Sequence, residues 1–84
     1  MSREHRAIIS AMVSANRTWN NLDQAATVLT RLRPQVAFAG TAELRLNQAI
    51  EAIHAKMDEV WNMAEDCERE LEALSVQAEQ REVA

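Results

Sequence analysis

Apolar residues recur along this chain at alternating spacings of four and three. In the first third, Ile8, Met12, Ala15, Trp19, Leu22, Ala26 and Leu29 keep that rhythm, which draws one apolar stripe down one side of a helix. Ala11, Ala25 and Leu32 widen the stripe on one flank and Ile9 on the other. After a break the rhythm resumes with Leu46, Ile50, Ile53, Met57, Val60, Ala64, Cys67, Leu71, Leu74 and Ala78. So long a run on a heptad template is the strongest structural signal in the chain. On the other side of the second stripe, Glu51, Asp58, Glu65, Glu72 and Glu79 recur every seven residues. The pattern predicts an all-α fold of two helices, over 2–32 and 41–80, joined by a connector over 33–40.

Local signals place the ends. Ser2 is a suitable N-cap for the first helix, with Glu4 facing the positive end of the helix dipole. Pro34 lacks an N–H and drives Arg33 out of the helical region, so the first helix stops near Leu32. Gly40 supplies a residue free to take positive φ, and Thr41 is positioned to cap the second helix. Val36 and Phe38, between these two breakers, are expected to plug one end of a bundle. Asn16 to Asp23 is rich in side chains that compete for backbone hydrogen bonds, so a kink is expected near Asn20 and Asn21 if anywhere.

Two long helices with a short connector fold most economically as an antiparallel hairpin. Folding about the connector pairs Leu29 with Leu46, Leu22 with Ile53, Ala15 with Val60 and Ile8 with Cys67. That pairing uses up the first helix and leaves Leu71, Leu74 and Ala78 with no partner in the chain. Self-association is therefore expected, most simply a homodimer that completes a four-helix bundle. Its seam would be Ile53, Met57, Val60, Ala64, Cys67, Leu71 and Leu74.

Composition agrees with one small helical domain over residues 1–84. Gly and Pro occur once each in 84 residues, too few for the frequent turns of an all-β fold. At 48% hydrophobic residues the chain also falls outside the disordered class. One cysteine makes no internal disulfide, and no apolar stretch approaches the ~18–20 residues that span a bilayer. The basic start followed by Ala7 to Ala15 fits a signal peptide poorly, since the run is short and holds Ser10 and Ser14; a cytoplasmic location is the expectation. Net charge is −4, the wrong sign for general nucleic-acid binding. That charge is unevenly split. Residues 1–40 hold five Arg against Glu4 and Asp23, whereas residues 41–84 hold eleven acids against Arg45, Lys56, Arg69 and Arg81.

Few groups are arranged for chemistry. Cys67 lies on the apolar stripe among acids, which disfavour a thiolate, so it is read as a small core residue. There is no phosphate-binding glycine loop, no Ser/His/Asp set and no Cys/His zinc spacing. No enzyme activity and no cofactor are expected. Glu51 and His54 stand one turn apart as Glu-x-x-His. That motif resembles the one in ferritin-like proteins, including short two-helix versions that complete their bundle by oligomerising. The resemblance implies Asp23, Glu51 and His54 as candidate metal ligands; the alternative is that His54 bonds Glu51 or Asp58.

The remaining signal is a surface. Trp19 lies on the first stripe and is expected in the core. Trp61 lies just off the second stripe near Met63, and such residues either widen a bundle core or anchor a partner. With Asp58, Glu59, Glu65 and Asp66 they form the expected partner-binding set, suited to a basic surface on another protein. Small acidic helical proteins of this shape look like phage-encoded inhibitors of bacterial defence, anti-CRISPR proteins among them. They also look like small chaperones of bacterial secretion needles. A structural assembly component is a further alternative.

Overall fold

A computed structural model describes residues 2–83, with side chains described for residues 2–78. Among the described residues there are three helices and no strand: α1 (Arg3–Thr30), α2 (Arg33–Val36) and α3 (Thr41–Val83). The fold is all-α and elongated, a rod of 69 × 14 × 14 Å made by α1 and α3 lying side by side. No described helix is long and apolar enough to cross a membrane.

Helix α1 begins where its cap dictates. The Ser2 backbone is extended, and its hydroxyl oxygen accepts a hydrogen bond from the His5 N–H at 3.2 Å. One of the four N–H groups that a helix start leaves unpaired is thereby satisfied. The same hydroxyl lies 2.7 Å from His5 Nδ1. Helix α1 passes through Asn16 to Asp23 without interruption. Near its end, the Thr27 and Thr30 hydroxyls donate to the Asp23 and Ala26 carbonyls. These bonds occupy side chains that would otherwise compete with the backbone.

The connector is more ordered than a loop. The Leu32 N–H donates to the Leu29 carbonyl, Gln35 to Leu32, and Ala39 to Val36, each at about 3 Å. This succession of tight turns builds α2, with Pro34 in its first turn, where a missing N–H costs nothing. Gly40 has φ +39°, the left-handed region, and its carbonyl accepts from the Leu44 N–H at 3.1 Å. Gly40 therefore holds the position at which Thr41 was expected to cap. Thr41 is already the first residue of α3, because only glycine takes that backbone turn without steric cost.

The α1–α3 contact follows the apolar stripes. The most buried residues are Ala15, Ala26 and Ile50, 5% exposed or less, and all three lie on the stripes. Ile8, Met12, Trp19, Leu22 and Leu29 are half-buried, as are Leu46, Ile53, Met57, Val60, Ala64, Cys67, Leu71 and Leu74. Ala15 and Ala26 are small enough to be covered fully, whereas the bulkier stripe residues are covered only in part.

Two expectations are corrected here. The first is register. Ile8 was expected beside Cys67, leaving Leu71, Leu74 and Ala78 bare. Instead, Ala7 and Ile8 line one hollow with Glu70, Ala73 and Leu74. Ser2, Glu4 and His5 line another with Leu74, Gln77 and Ala78. Helix α1 thus reaches along α3 as far as Ala78, and the edge expected to be uncovered has a partner in its own chain. The cause lies in the connector, since Arg33, Pro34 and Ala37 face Glu43, Asn47 and Glu51. Helix α2 occupies the space beside the first turns of α3 and displaces α1 along it. A slip to later stripe positions keeps the stripes in contact, because those positions recur every three or four residues. The second correction is Phe38, expected as a plug and 102% exposed in the structure. Val36 alone is half-buried there.

With so few buried residues, each should matter. Ile50→Ala removes a side chain that is 2% exposed and should destabilise the fold by about 2–4 kcal/mol. Phe38→Ala, fully exposed, should change stability by less than about 0.5 kcal/mol. Urea denaturation followed by circular dichroism measures both. Equal effects would contradict the placement of the core.

Candidate partner-binding face

The expected partner-binding residues all lie in the middle of α3, and helix geometry sorts them into separate rows. Asp58 and Glu65 are seven residues apart and share one row; Glu59 and Asp66 share another. Trp61 flanks the first row, three residues after Asp58 and four before Glu65, so the three side chains are neighbours on the helix surface.

Trp61 is held at two points. Its indole Nε1–H donates to Glu65 Oε1 at 2.9 Å. Its ring packs on Trp19 of α1, with centroids 6.2 Å apart and planes tilted by 58°. Tilted pairs at that separation satisfy the aromatic quadrupoles and contribute about 0.5–1.5 kcal/mol beyond their burial. Even so, Trp61 remains 54% exposed. Trp19 is the half-buried member of the pair, consistent with its place on the stripe. Beside them, Met12, Asn16, Trp61, Ala64, Glu65 and Glu68 line a hollow of about 210 Å³.

The two acidic rows differ in charge balance. In the second row, Glu59 pairs with Lys56 at 3.0 Å and Asp66 pairs with Arg69. All four side chains are about two-thirds exposed, so these pairs add little stability. They nevertheless offset the charge of that row. In the first row, Glu65 accepts the indole N–H, and Asp58 has no ion pair among the described residues. Negative charge without an ion pair therefore lies on the Trp61 side of α3, and on the Met63 side at Glu70. Glu51 and Glu72 extend the first row; the Glu79 side chain lies outside the described residues.

Met63 does not join Trp61. Two residues along a helix turn the side chain by about 200°, so Met63 projects from the opposite flank, 46% exposed. The single Trp61/Met63 patch expected from their closeness in sequence is split in two. Phe38 is an exposed apolar group that the sequence reading assigned to a bundle plug. Its position between a proline and a glycine, off both heptad stripes, was the available sign that it stands apart.

The metal-ligand set is not assembled. Among the described residues, no three His, Cys, Asp or Glu side chains lie close enough to hold an ion, so Asp23, Glu51 and His54 do not converge. His54 is exposed and makes no hydrogen bond to Glu51 or Asp58. Cys67 is a free thiol, half-buried on the stripe.

Comparison with protein-family models, with curated proteins and with solved structures returned no match to this chain. The functional reading therefore rests on its own geometry.

Trp61→Ala should cost about 1–2 kcal/mol by urea denaturation, through loss of the Trp19 contact and the Glu65 hydrogen bond. Glu59→Gln, which removes only an exposed ion pair, should cost less than about 0.5 kcal/mol. A Trp61→Ala variant as stable as the parent would show that the ring is not packed on Trp19.

Proposed function

We propose that the protein is a non-enzymatic interaction module: an antiparallel helical hairpin that completes its bundle with a second copy and binds a partner protein through α3. The pairing of Ile8 with Glu70 and Leu74, and of Trp19 with Trp61, supports the antiparallel arrangement. The partner is a protein with a basic surface, which Asp58 and Glu65 select by charge while Trp61 provides the apolar anchor. Occupying that surface blocks it, so the activity is inhibition by steric exclusion. A phage-encoded inhibitor of a bacterial defence system would work in this manner, and the bacterial cytoplasm is where it would act.

One observation carries this reading. Trp61 is half exposed yet fixed by a ring contact and a hydrogen bond. An aromatic side chain held in place before binding loses little rotamer freedom on docking, which is what makes tryptophan an effective interface anchor. The unbalanced carboxylates beside it favour encounter with a cationic surface and speed association.

Tagged wild-type protein and an Asp58→Lys/Glu65→Lys variant, each used as bait in a bacterial lysate, test the reading. The variant should keep its helicity, because both positions are exposed, and should lose the protein that wild type retains. Retention of the same protein by both baits, at the same salt concentration, would remove the acidic face from the account.

A further inference from the structure

The connector end of the rod has a charge opposite to that of the chain as a whole. Residues 31–45 carry Arg31, Arg33 and Arg45 against Glu43 alone, in a chain of net charge −4. None of these arginines forms an ion pair among the described residues; Arg33 shares a hollow with Glu43 and Glu51 without pairing with either. Phe38 stands at this end with its whole ring in solvent, and Leu44, in the first turn of α3, is 57% exposed. The ring is nevertheless carried on ordered backbone. The Ala39 N–H donates to the Val36 carbonyl at 2.9 Å, and the Ala42 N–H donates to the Ala39 carbonyl at 2.8 Å.

We propose that this end docks on the Trp61 face of a second copy, with Phe38 seated in the hollow beside Trp61 and the arginines set against Asp58, Glu65 and Glu68. The inference rests on the reading of that face as a partner site and names an occupant for it. The hollow is lined by Met12, Trp61 and Ala64 together with Glu65 and Glu68, and encloses about 210 Å³. A cavity of about 150 Å³ takes up a benzene ring, so one phenyl ring has room. Trp61 is already fixed against Trp19, so an entering aromatic meets a wall that needs no ordering. Asp58, Glu65 and Glu68 have no ion pair among the described residues, and a guanidinium is the cation best matched to a carboxylate.

The two surfaces do not meet within one chain. Trp61 lies about 30 Å along α3 from Thr41, while the turns around Phe38 hold it at the end. Nor does the contact close on itself. A docked copy keeps its own hollow free, and the copy it docks on keeps its own end free, so further copies add head to side. The end of a rod 14 Å across covers much less than the about 800 Å² that each partner of a standard interface buries. The association is therefore weak and concentration-dependent, and a basic partner protein competes with it for the same hollow.

Sedimentation of the purified protein at low salt, over a wide concentration range, is the test. The average mass of wild type should keep rising with concentration and reach no plateau. Phe38→Ala, a change at a fully exposed position, and Asp58→Lys/Glu65→Lys should each weaken that growth about tenfold, and added salt should weaken it for wild type. Mixing the two variants should restore association, because one brings an intact end and the other an intact hollow. A wild-type mass that stays constant, or that settles at twice the 9.5 kDa chain mass, would overturn the inference while leaving the Trp61 face to a different partner. Growth that survives Phe38→Ala, or a mixture that associates no better than its components, would overturn it as well. The reading of the face itself falls separately, if the Asp58→Lys/Glu65→Lys bait retains the same lysate protein as wild type.

Discussion

The contact between α1 and α3 along one apolar stripe is the constraint on which the rest of the molecule depends. Two helices meet along a line, and a line encloses almost no volume. Ala15, Ala26 and Ile50 alone are fully shielded among the described residues. Every other stripe residue keeps one edge in solvent. Short-range order is strong, since each helix satisfies its own backbone, but tertiary burial is small. A rod of this kind gains from any additional surface that covers its flanks.

The period of the apolar positions made the helices and their facing sides legible from sequence, because a strict four–three spacing has few other physical solutions. The four–three stripe residues named from sequence are the ones the structure half-buries or buries, apart from Ala78; of the flanking residues, Ala11 is half-buried while Ile9, Ala25 and Leu32 stay exposed. Ser2 and Gly40 could be read for the same kind of reason: a hydroxyl cap and a left-handed turn are local requirements. Register was not legible. A heptad pattern looks the same after a slip to the next stripe position, so the pairing depends on the path of the connector. That path depends on α2, whose four residues carry no periodicity. Its turns are held by backbone hydrogen bonds that any sequence compatible with Pro34 can make. Thr41 and Phe38 were misjudged for the same cause, since both positions are set by how the chain turns between the helices.

The candidate site was legible in part. The acidic rows follow from spacing, and Trp61 sits beside them as counting predicts. Which acids are offset by cations was only partly apparent: Lys56 has Glu59 alone one turn away, but Arg69 has Glu65, Asp66 and Glu72, and the structure selects Asp66. Nor was the Trp19 contact, which follows from the corrected register. Asp23, Glu51 and His54 show the limit of motif reading. Glu-x-x-His states a one-turn neighbourhood on one helix, while a metal site needs donors from other helices aimed at the same point.

The register of α1 on α3 joins these results, because it places Trp19 against Trp61, forms the hollow beside Ala73 and covers α3 as far as Ala78. Oxidative crosslinking in the folded protein measures it directly. In a Cys67→Ala background, Ile8→Cys with Leu74→Cys should form an intrachain disulfide, identified by peptide mass after reduction-free digestion. Ile8→Cys alone, with native Cys67 retained, should stay reduced within the chain under the same conditions. Efficient bonding of position 8 to Cys67, with none to position 74, would contradict the account.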